Sequence, residues 1–363
     1  MMKNNLLKTD IQSFLQKGTV IPAHPLALNA DLKFDENRHR ALTRYYIASG
    51  VGGIAIGVHT TQFEIRDPDV NLYETVLRVT ADEIGEADMP GAFIKVAGVC
   101  GLTTQAVNEA TLARKYGYDL GLVSMAALNH LSEEQVIEHI RIVSETIPVF
   151  GFYLQTAIGG RKFSFDFWKQ FAEIPYVMAI KIASFNRYQT LDVVRAVCSS
   201  GRRNEIALYT GNDDNIVADL LTPYRFMVDG NWIEKRFVGG LLGHWAVWTS
   251  KAVGLFGQIR ECLQNDYQGI EELLAKNIEV TDMNAAIFDP GHGFHGCIAG
   301  IHEVLRRQGF LEGTWCLNPT EGLSAGQAEE IDRVVAAYPD LVDDKFASSF
   351  MPGGAGGIRH FTS

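Results

Sequence analysis

The segment Val177–Ala183 reads VMAIKIA, and its alternation guides the interpretation of the rest of the chain. In a β-strand, successive side chains point to opposite faces. The bulky Met178, Ile180 and Ile182 therefore share one face, suited to packing on helices. Lys181 lies on the other face, together with the smaller residues of the segment. The pattern predicts a buried strand whose inner face presents one amine.

Short apolar runs alternate with longer amphipathic runs on both sides of this segment. Such alternation of strands and helices predicts a parallel sheet. The strand candidates are residues 19–24, 53–58, 92–97, 119–124, 148–153, 177–183, 205–209 and 237–243. Eight strand–helix steps in about 230 residues are typical of a closed (β/α)₈ TIM barrel. No GxGxxG motif follows the first strand, which argues against an open dinucleotide-binding sheet.

The same patterns predict three regions. Residues 1–249 are expected to form the barrel and to carry the catalytic site. Residues 250–345 lack clear strands and are predicted to form a C-terminal helical subdomain, and the Gly-rich stretch within 346–363 predicts a flexible tail. Residues 222–235, between the seventh helix and the eighth strand, are interpreted as an inserted loop.

Charge and cysteine content exclude several kinds of partner. The net charge of −11 and the pI of about 5.4 offer no basic excess to nucleic acid or to an anionic membrane surface. The 5 cysteines are widely spaced without a CxxC motif, which is typical of reduced thiols and predicts a cytoplasmic protein. No apolar run is long enough to span a bilayer.

The preceding strand, Pro148–Tyr153, is predicted to place its last residue beside the lysine. If Phe150 and Phe152 point outward, then Tyr153 points inward with Lys181, roughly 5 Å away on the adjacent strand. Burial among apolar side chains lowers the pKa of a lysine, and the neutral amine can attack a ketone to form an imine while a tyrosine moves protons. The alternative is a lysine that pairs with a carboxylate or reaches the barrel rim.

Several ordered motifs then resemble one family, that of dihydrodipicolinate synthase and N-acetylneuraminate lyase. The resemblance runs from about Gly18 to Ser250, and more weakly to Tyr338. PVFGFY is similar to the family's strand-five tyrosine motif and VMAIK to its strand-six GIK, HTTQFE resembles its GTTGE loop, and YTGNDD resembles its GND motif. Near the end of the chain, NPTEGLSAGQAEEIDRVV is similar to the family's closing helix.

The resemblance implies the chemistry of a class I aldolase barrel: a Schiff-base-forming lyase, whether aldolase, synthase or dehydratase. It implies Lys181 as the nucleophile, Tyr153 as the general acid/base, Thr61 in the proton relay and Thr60 on the substrate carboxylate. Further candidates for substrate binding are His59, Gly211, Asp213 and His24. It also implies pyruvate or a 2-keto sugar acid as the small-molecule substrate, no organic cofactor, and a homo-oligomer, either a dimer or a tetramer.

The chain departs from the synthase pattern at the positions that read the second substrate. Ile158 stands where the synthases carry a carboxylate-binding arginine, and Arg161 lies three residues further on. The stretch SMAALNH lacks the synthase tyrosine pair, and Gln62 replaces a glycine. We therefore expect a dicarboxylate product to be a poor ligand, and an aldolase or a sugar-acid dehydratase to be the better match.

Two other functions remain open from the sequence. His24, His59 and His244 fall near the ends of strands one, two and eight, where three imidazoles could bind zinc in a metal-dependent barrel hydrolase or lyase. His292 and His295 add an HxxH motif within a Gly-rich loop. Alternatively, the chain is a non-catalytic ligand-binding protein on an aldolase scaffold, because fold does not fix function.

Overall fold

A computed structural model of the chain describes residues 7–89 and 91–351. Most of the predicted flexible tail, residues 352–363, lies outside the described residues. Within the described part of this tail, residues 346 and 347 end the short helix Asp344–Ala347, and the 3₁₀ turn Ser348–Phe350 follows. No described helix is both long enough and apolar enough to cross a membrane.

Strands and helices alternate along the described chain. The strands are β1 Val20–Pro22, β2 Gly53–Ile56, β3 Ile94–Val99, β4 Leu120–Val123, β5 Val149–Leu154, β6 Val177–Ala183, β7 Ala207–Thr210, β8 Tyr224–Val228, β9 Asn231–Lys235 and β10 Phe237–Leu242. The α-helices are α1 Thr9–Lys17, α2 Glu36–Ala48, α3 Tyr73–Glu86, α4 Thr103–Lys115, α5 Glu133–Ser144, α6 Phe165–Ala172, α7 Arg187–Ser199, α8 Ile216–Leu221, α9 Thr249–Gln264, α10 Ile270–Phe288, α11 Cys297–Arg307, α12 Gln327–Ala337 and α13 Asp344–Ala347.

Strands β1–β7 and β10 are the eight strands of a (β/α)₈ barrel, so the predicted fold class is confirmed. The C-terminal helical region follows β10 and contains α9–α13. Local capping chemistry explains where individual helices begin. The Asp35 side chain accepts from the N–H of Arg38 at the start of α2, and Ser132 and Gln135 form a capping box at α5.

The chain divides into two compact units. The first contains residues 1–19 and 92–241, and its parallel strands follow the order β3-β4-β5-β6-β7-β10. The second contains residues 20–91 and 242–363, in which Ala23, just after β1, pairs in parallel with Ala55 of β2. The predicted barrel and subdomain boundaries, 1–249 and 250–345, stay predictions.

The interpretation of residues 222–235 as a loop is wrong, because this insertion is a β-hairpin. β8 and β9 pair antiparallel around Asp229 and Gly230, whose φ angles are 48° and 76°. An Asp-Gly pair with two positive φ angles matches the twist of a two-residue hairpin. More buried and more exposed side chains alternate along the hairpin. Its exposed face, however, carries the paired apolar residues Met227 and Trp232, so the sequence does not alternate clearly between apolar and polar residues.

The sequence analysis did not predict helix α1, which packs within the first unit. Ile11 and Leu15 are its buried residues. The phenol of Tyr209, on β7, donates a hydrogen bond to the Leu15 carbonyl at 2.9 Å. This bond ties the N-terminal helix to the strand next to β6.

Candidate active site

Lys181 lies near the end of β6 on the sheet face turned away from helices α6 and α7. Its residue partners in the parallel ladders are Phe152 of β5 and Tyr209 of β7, and paired residues share a face. The Lys181 Nζ is 4.7 Å from the centre of the Phe152 ring. Only 8% of the lysine is exposed, so the predicted burial and inward direction of Lys181 are both found.

Gly211, just after β7, leaves the space that the lysine side chain occupies. A Cβ atom on Gly211 would lie 2.6 Å from the Lys181 Cε and 2.9 Å from the Ala183 Cβ. Both distances are shorter than ordinary carbon contacts of about 3.5–4.0 Å. The Gly211 N–H also donates to the Ile182 carbonyl at 2.7 Å, which fixes the backbone in this position. The structure thus brings together Lys181 and the predicted Gly211.

The predicted inward direction of Tyr153 is wrong. Tyr153 pairs with Ile182 rather than with Lys181, so it lies on the helix side of the sheet. Its ring packs 4.9 Å from Trp168 of α6, and its hydroxyl donates to the Gln189 Oε1 of α7 at 2.9 Å. Burial raises the pKa of this phenol to about 12. Tyr153 therefore does not sit beside the amine as a proton donor.

A bulge in β6 reverses the parity of β5. Val149 pairs with Val177, but the next residue, Phe150, pairs with Ala179, so Met178 is skipped. One extra residue on one strand exchanges the faces of every later residue on its partner. Gly151 consequently faces α6, where a Cβ would meet the Phe171 ring at 2.6 Å.

Tyr209 is a tyrosine on the lysine's face that the sequence reasoning missed. It is fully buried, and its ring lies 5.2 Å from that of Phe150 in an edge-to-face arrangement. Burial raises its pKa, and the hydroxyl proton is donated to the Leu15 carbonyl. Its phenol is therefore directed toward α1, and the lysine's two ladder partners contribute ring faces rather than an acid.

The turn after β7 is held by Asn212, another residue that the sequence reasoning missed. Its Oδ1 accepts from the Phe185 N–H at 3.0 Å, just beyond β6. Its Nδ2 donates to the Asp219 Oδ2 at 2.9 Å. The predicted Asp213 follows in the same turn and is 5% exposed. The GND sequence is therefore explained by its contacts. The glycine leaves space for the lysine side chain, and the asparagine stabilises the turns after β6 and β7.

The fully buried Asp219 carboxylate stabilises this turn through hydrogen bonds. It accepts hydrogen bonds from the Thr210 hydroxyl at 2.8 Å and the Tyr224 phenol at 2.8 Å. The Arg187 guanidinium, at the start of α7, donates to it at 2.5 Å. Neutral and charged donors together satisfy a carboxylate that would otherwise be costly to bury. The network holds α7, α8 and β7 around the Asn212 turn.

In the second unit, Thr60 and Thr61 use their hydroxyls on the neighbouring backbone. Thr60 Oγ1 donates to the Ala23 carbonyl at 2.9 Å, and Thr61 Oγ1 donates to the His24 carbonyl at 2.7 Å. Thr61 Oγ1 also accepts from the Gly57 N–H at 3.0 Å. Each hydroxyl has one proton to donate, so a relay role for Thr61 would require release of the His24 carbonyl.

His24 is a core residue, which corrects its prediction as a substrate ligand. It is fully buried and stacks on His39 with ring centres 4.1 Å apart. Nδ1 donates to the Pro25 carbonyl at 2.7 Å, and Nε2 lies 3.0 Å from the Thr43 hydroxyl. Burial lowers the pKa of His24 to about 4. Both ring nitrogens are therefore used inside the protein, against helix α2.

The proposed zinc cluster does not form. His244 is buried near Asn284, and burial lowers its pKa to about 4, while His59 lies 6.0 Å from the Phe63 ring. His292 pairs instead with Asp289 at 2.6 Å. Throughout the described residues, no group of three or more His, Cys, Asp or Glu side chains is placed to hold a metal ion. The metal-dependent alternative therefore has no ligand set in the described chain.

Sequence comparison agrees with the motif order around Lys181. The model of the Dihydrodipicolinate synthetase family matches residues 16–222 of the chain. The chain belongs to this family. The matched stretch includes Lys181, Tyr153, Gly211 and the threonine pair of the second unit.

Individual members of the family are only distantly similar. An N-acetylneuraminate lyase from Citrobacter koseri is 26% identical over 206 residues, which are 56% of this chain and 65% of the relative. A 4-hydroxy-tetrahydrodipicolinate synthase from Ralstonia nicotianae is 28% identical over 200 residues, 53% of this chain and 63% of the relative. The matches thus span just under two thirds of these relatives.

Solved structures of the family share the fold over most of the chain. Dihydrodipicolinate synthase from Oceanobacillus iheyensis superposes with a TM-score of 0.70 at 16% identity, covering 91% of this chain and 99% of that one. N-acetylneuraminate lyase from Fusobacterium nucleatum gives 0.69 at 16% identity, covering 91% and 100%. At this identity the likeness concerns the fold alone.

Arg161, three residues after Ile158, uses its Nη1 group on the loop after β4. Its guanidinium donates to the backbone carbonyls of Leu131 at 2.6 Å and Asn129 at 3.3 Å. The same group lies 4.7 Å from the centre of the Phe163 ring. This arginine therefore stabilises the loop after β4 through its Nη1 group.

Proposed function

We propose that the chain is a Schiff-base-forming lyase that acts on pyruvate or another 2-keto acid, with Lys181 as the nucleophile. The observation that carries this proposal is the placement of a single lysine on the inner face at the end of β6, 8% exposed and against the Phe152 ring. Family membership supports the same chemistry. Active sites of barrel enzymes lie at the C-terminal ends of the strands.

The reaction follows from the amine. Lys181 Nζ attacks the keto carbon, the carbonyl oxygen leaves as water, and a protonated imine forms. Cleavage of the bond between C3 and C4 places its electron pair in an enamine, while the C4 hydroxyl loses its proton and becomes an aldehyde. Protonation of the enamine and hydrolysis of the imine release pyruvate and the free lysine. The imine is the electron sink, so no organic cofactor is required.

Tyr153 and Tyr209 are not proposed as the groups that transfer protons. Tyr153 donates to Gln189 on the helix side of the sheet, and Tyr209 donates to Leu15. Neither phenol is directed at the amine. We propose that Gly211 and Asn212 position the lysine, and that Asp213 contacts substrate at the turn after β7. Carboxylate binding by Thr60 and Thr61, substrate contact by His59 and homo-oligomer formation are retained as expectations from the family.

Borohydride inactivation tests this proposal. The protein is incubated with borohydride and one member of a panel of 2-keto acids, with chelator present throughout. Imine chemistry predicts inactivation that depends on the ketone and is insensitive to chelator. Loss of activity with chelator alone would instead support a metal enzyme. Tight binding of keto acids without turnover or adduct would support a ligand-binding regulator on the same scaffold.

A further inference from the structure

We infer that the aldehyde partner in this reaction is uncharged and largely apolar, of the aromatic or branched aliphatic class. The inference rests on the proposed function and adds the substrate class that the site selects. In the condensation direction, the enamine carbon bonds to the aldehyde carbon, the aldehyde oxygen takes up a proton, and hydrolysis of the imine frees Lys181.

The residues beyond the lysine on its own face are apolar. Leu154 of β5 pairs with Ala183 of β6, two residues beyond the pair formed by Phe152 and Lys181, so both side chains share the lysine's face. Leu154 is 7% exposed and Ala183 is 3% exposed. Gly211 completes this layer, since its missing side chain faces the Ala183 Cβ. None of these side chains can donate a hydrogen bond to a substrate hydroxyl or carboxylate.

The residue after β4, the strand on the other side of β5, carries one small hydroxyl. Leu122 of β4 pairs with Phe150, so Ser124, two residues later, continues the same face. Ser124 is 6% exposed. The Ser124 hydroxyl can donate to the one oxygen of an aldehyde, whereas Leu154 and Ala183 cannot satisfy the hydroxyls that a polyol would place against them.

The two arginines that follow β5 and β6 each use their Nη1 group inside the protein. Arg161 donates to loop carbonyls, and Arg187 donates to the buried Asp219. Lys162 is exposed. The turn after β7 adds carboxylates at Asp213 and Asp214 instead of cations. A second carboxylate or a phosphate on the aldehyde would therefore meet like charge.

The experiment separates this inference from the proposed function by two measurements on the full chain. Imine formation is first measured by borohydride trapping with pyruvate. Condensation of pyruvate is then followed with benzaldehyde, 3-methylbutanal, glyceraldehyde, N-acetylmannosamine and aspartate semialdehyde. We expect kcat/KM for the two apolar aldehydes to exceed that for the others by about tenfold or more.

Two variants locate the selectivity. Leu154→Gln introduces a polar side chain of similar size on the lysine's face, and we expect kcat/KM for benzaldehyde to fall about tenfold relative to that for glyceraldehyde. Met227→Gln makes the same kind of change on the exposed hairpin strand β8 and should leave both values unchanged.

Each outcome has a definite meaning. Failure of trapping would overturn the proposed function, and the substrate class with it. Trapping with equal or faster condensation of a charged or polyhydroxy aldehyde would overturn only the apolar class. So would trapping without condensation of any aldehyde in the panel, or an unchanged ratio of the benzaldehyde and glyceraldehyde kcat/KM values in Leu154→Gln.

Discussion

Substitution of Gly211 by alanine should displace the lysine without removing it. The new Cβ would lie 2.6 Å from the Lys181 Cε and 2.9 Å from the Ala183 Cβ, an overlap of roughly 1 Å against ordinary contacts. Overpacking of a filled interior typically costs about 1–3 kcal/mol of unfolding free energy. A displacement of about 1 Å in a reacting group can slow a reaction by about a hundredfold.

The assay combines urea unfolding with the rate of borohydride trapping by pyruvate. Gly254→Ala in helix α9 is the matched control, because no atom lies within 4 Å of the Cβ position there. This control should gain about 0.5–1 kcal/mol from helix propensity and keep the trapping rate. Wild-type stability together with wild-type trapping in Gly211→Ala would refute the claim that the glycine makes room for the lysine.

Three further predictions follow from the contacts. Tyr153→Phe should cost about 0.5–1.5 kcal/mol of stability and leave pyruvate trapping within about twofold, because the lost hydrogen bond lies on the helix side. Asp219→Asn should cost about 2–4 kcal/mol, since an amide places donors where buried donors already converge. His24, His244 and His302 each have a pKa lowered to about 4 by burial, so unfolding free energy should fall by about 1.5–2 kcal/mol per histidine between pH 7 and pH 5.

The sign of the pH effect comes from proton uptake on unfolding. An unfolded histidine with a pKa near 6.5 binds a proton in this range, while the buried ring does not until the pH approaches 4. Unfolding free energy is therefore highest above pH 6.5 and is lost toward pH 4. A urea midpoint that stays constant from pH 7 to pH 5 would contradict this assignment. A hundredfold slower pyruvate trapping in Tyr153→Phe would contradict the first prediction, and an unchanged unfolding free energy in Asp219→Asn would contradict the second.

The fold was predictable because strand and helix periods alternate clearly along the chain. The VMAIKIA segment matches β6 without an error in its bounds, and both residues of the α5 capping box are correct. The direction of Lys181 was predictable for the same reason, since one face of its strand is bulky and the other is small. Local chemistry and side-chain period were sufficient at these positions.

The direction of Tyr153 was not predictable from one strand alone. Every residue of β5 is buried, so apolar character does not distinguish its two faces. The bulge that skips Met178 sets the parity, and it exists only in the pairing of two strands. The order of the motifs suggested that Tyr153, 28 residues before Lys181, lies beside the amine. In the structure Phe152 lies there instead.

His24 shows a different limit. Its place just after β1 suggested a position at the C-terminal end of a barrel strand, where side chains can contact substrate. The ring is instead directed toward α2 and stacks on His39. Nothing in the local sequence separates a histidine that faces a helix from one that faces a substrate. The hairpin at 222–235 was missed because two of its apolar residues, Met227 and Trp232, lie on its exposed face.

Adduct mapping tests the central claim most directly. The full chain is reduced with borohydride in the presence of pyruvate, digested, and analysed by mass spectrometry. Lys181→Arg keeps the charge but cannot form the imine, and Lys95→Arg is the matched control because burial also lowers the pKa of Lys95. We predict an adduct on Lys181 in the wild-type chain and in Lys95→Arg, and none in Lys181→Arg. An adduct mapped to another lysine, or full activity in Lys181→Arg, would contradict the assignment.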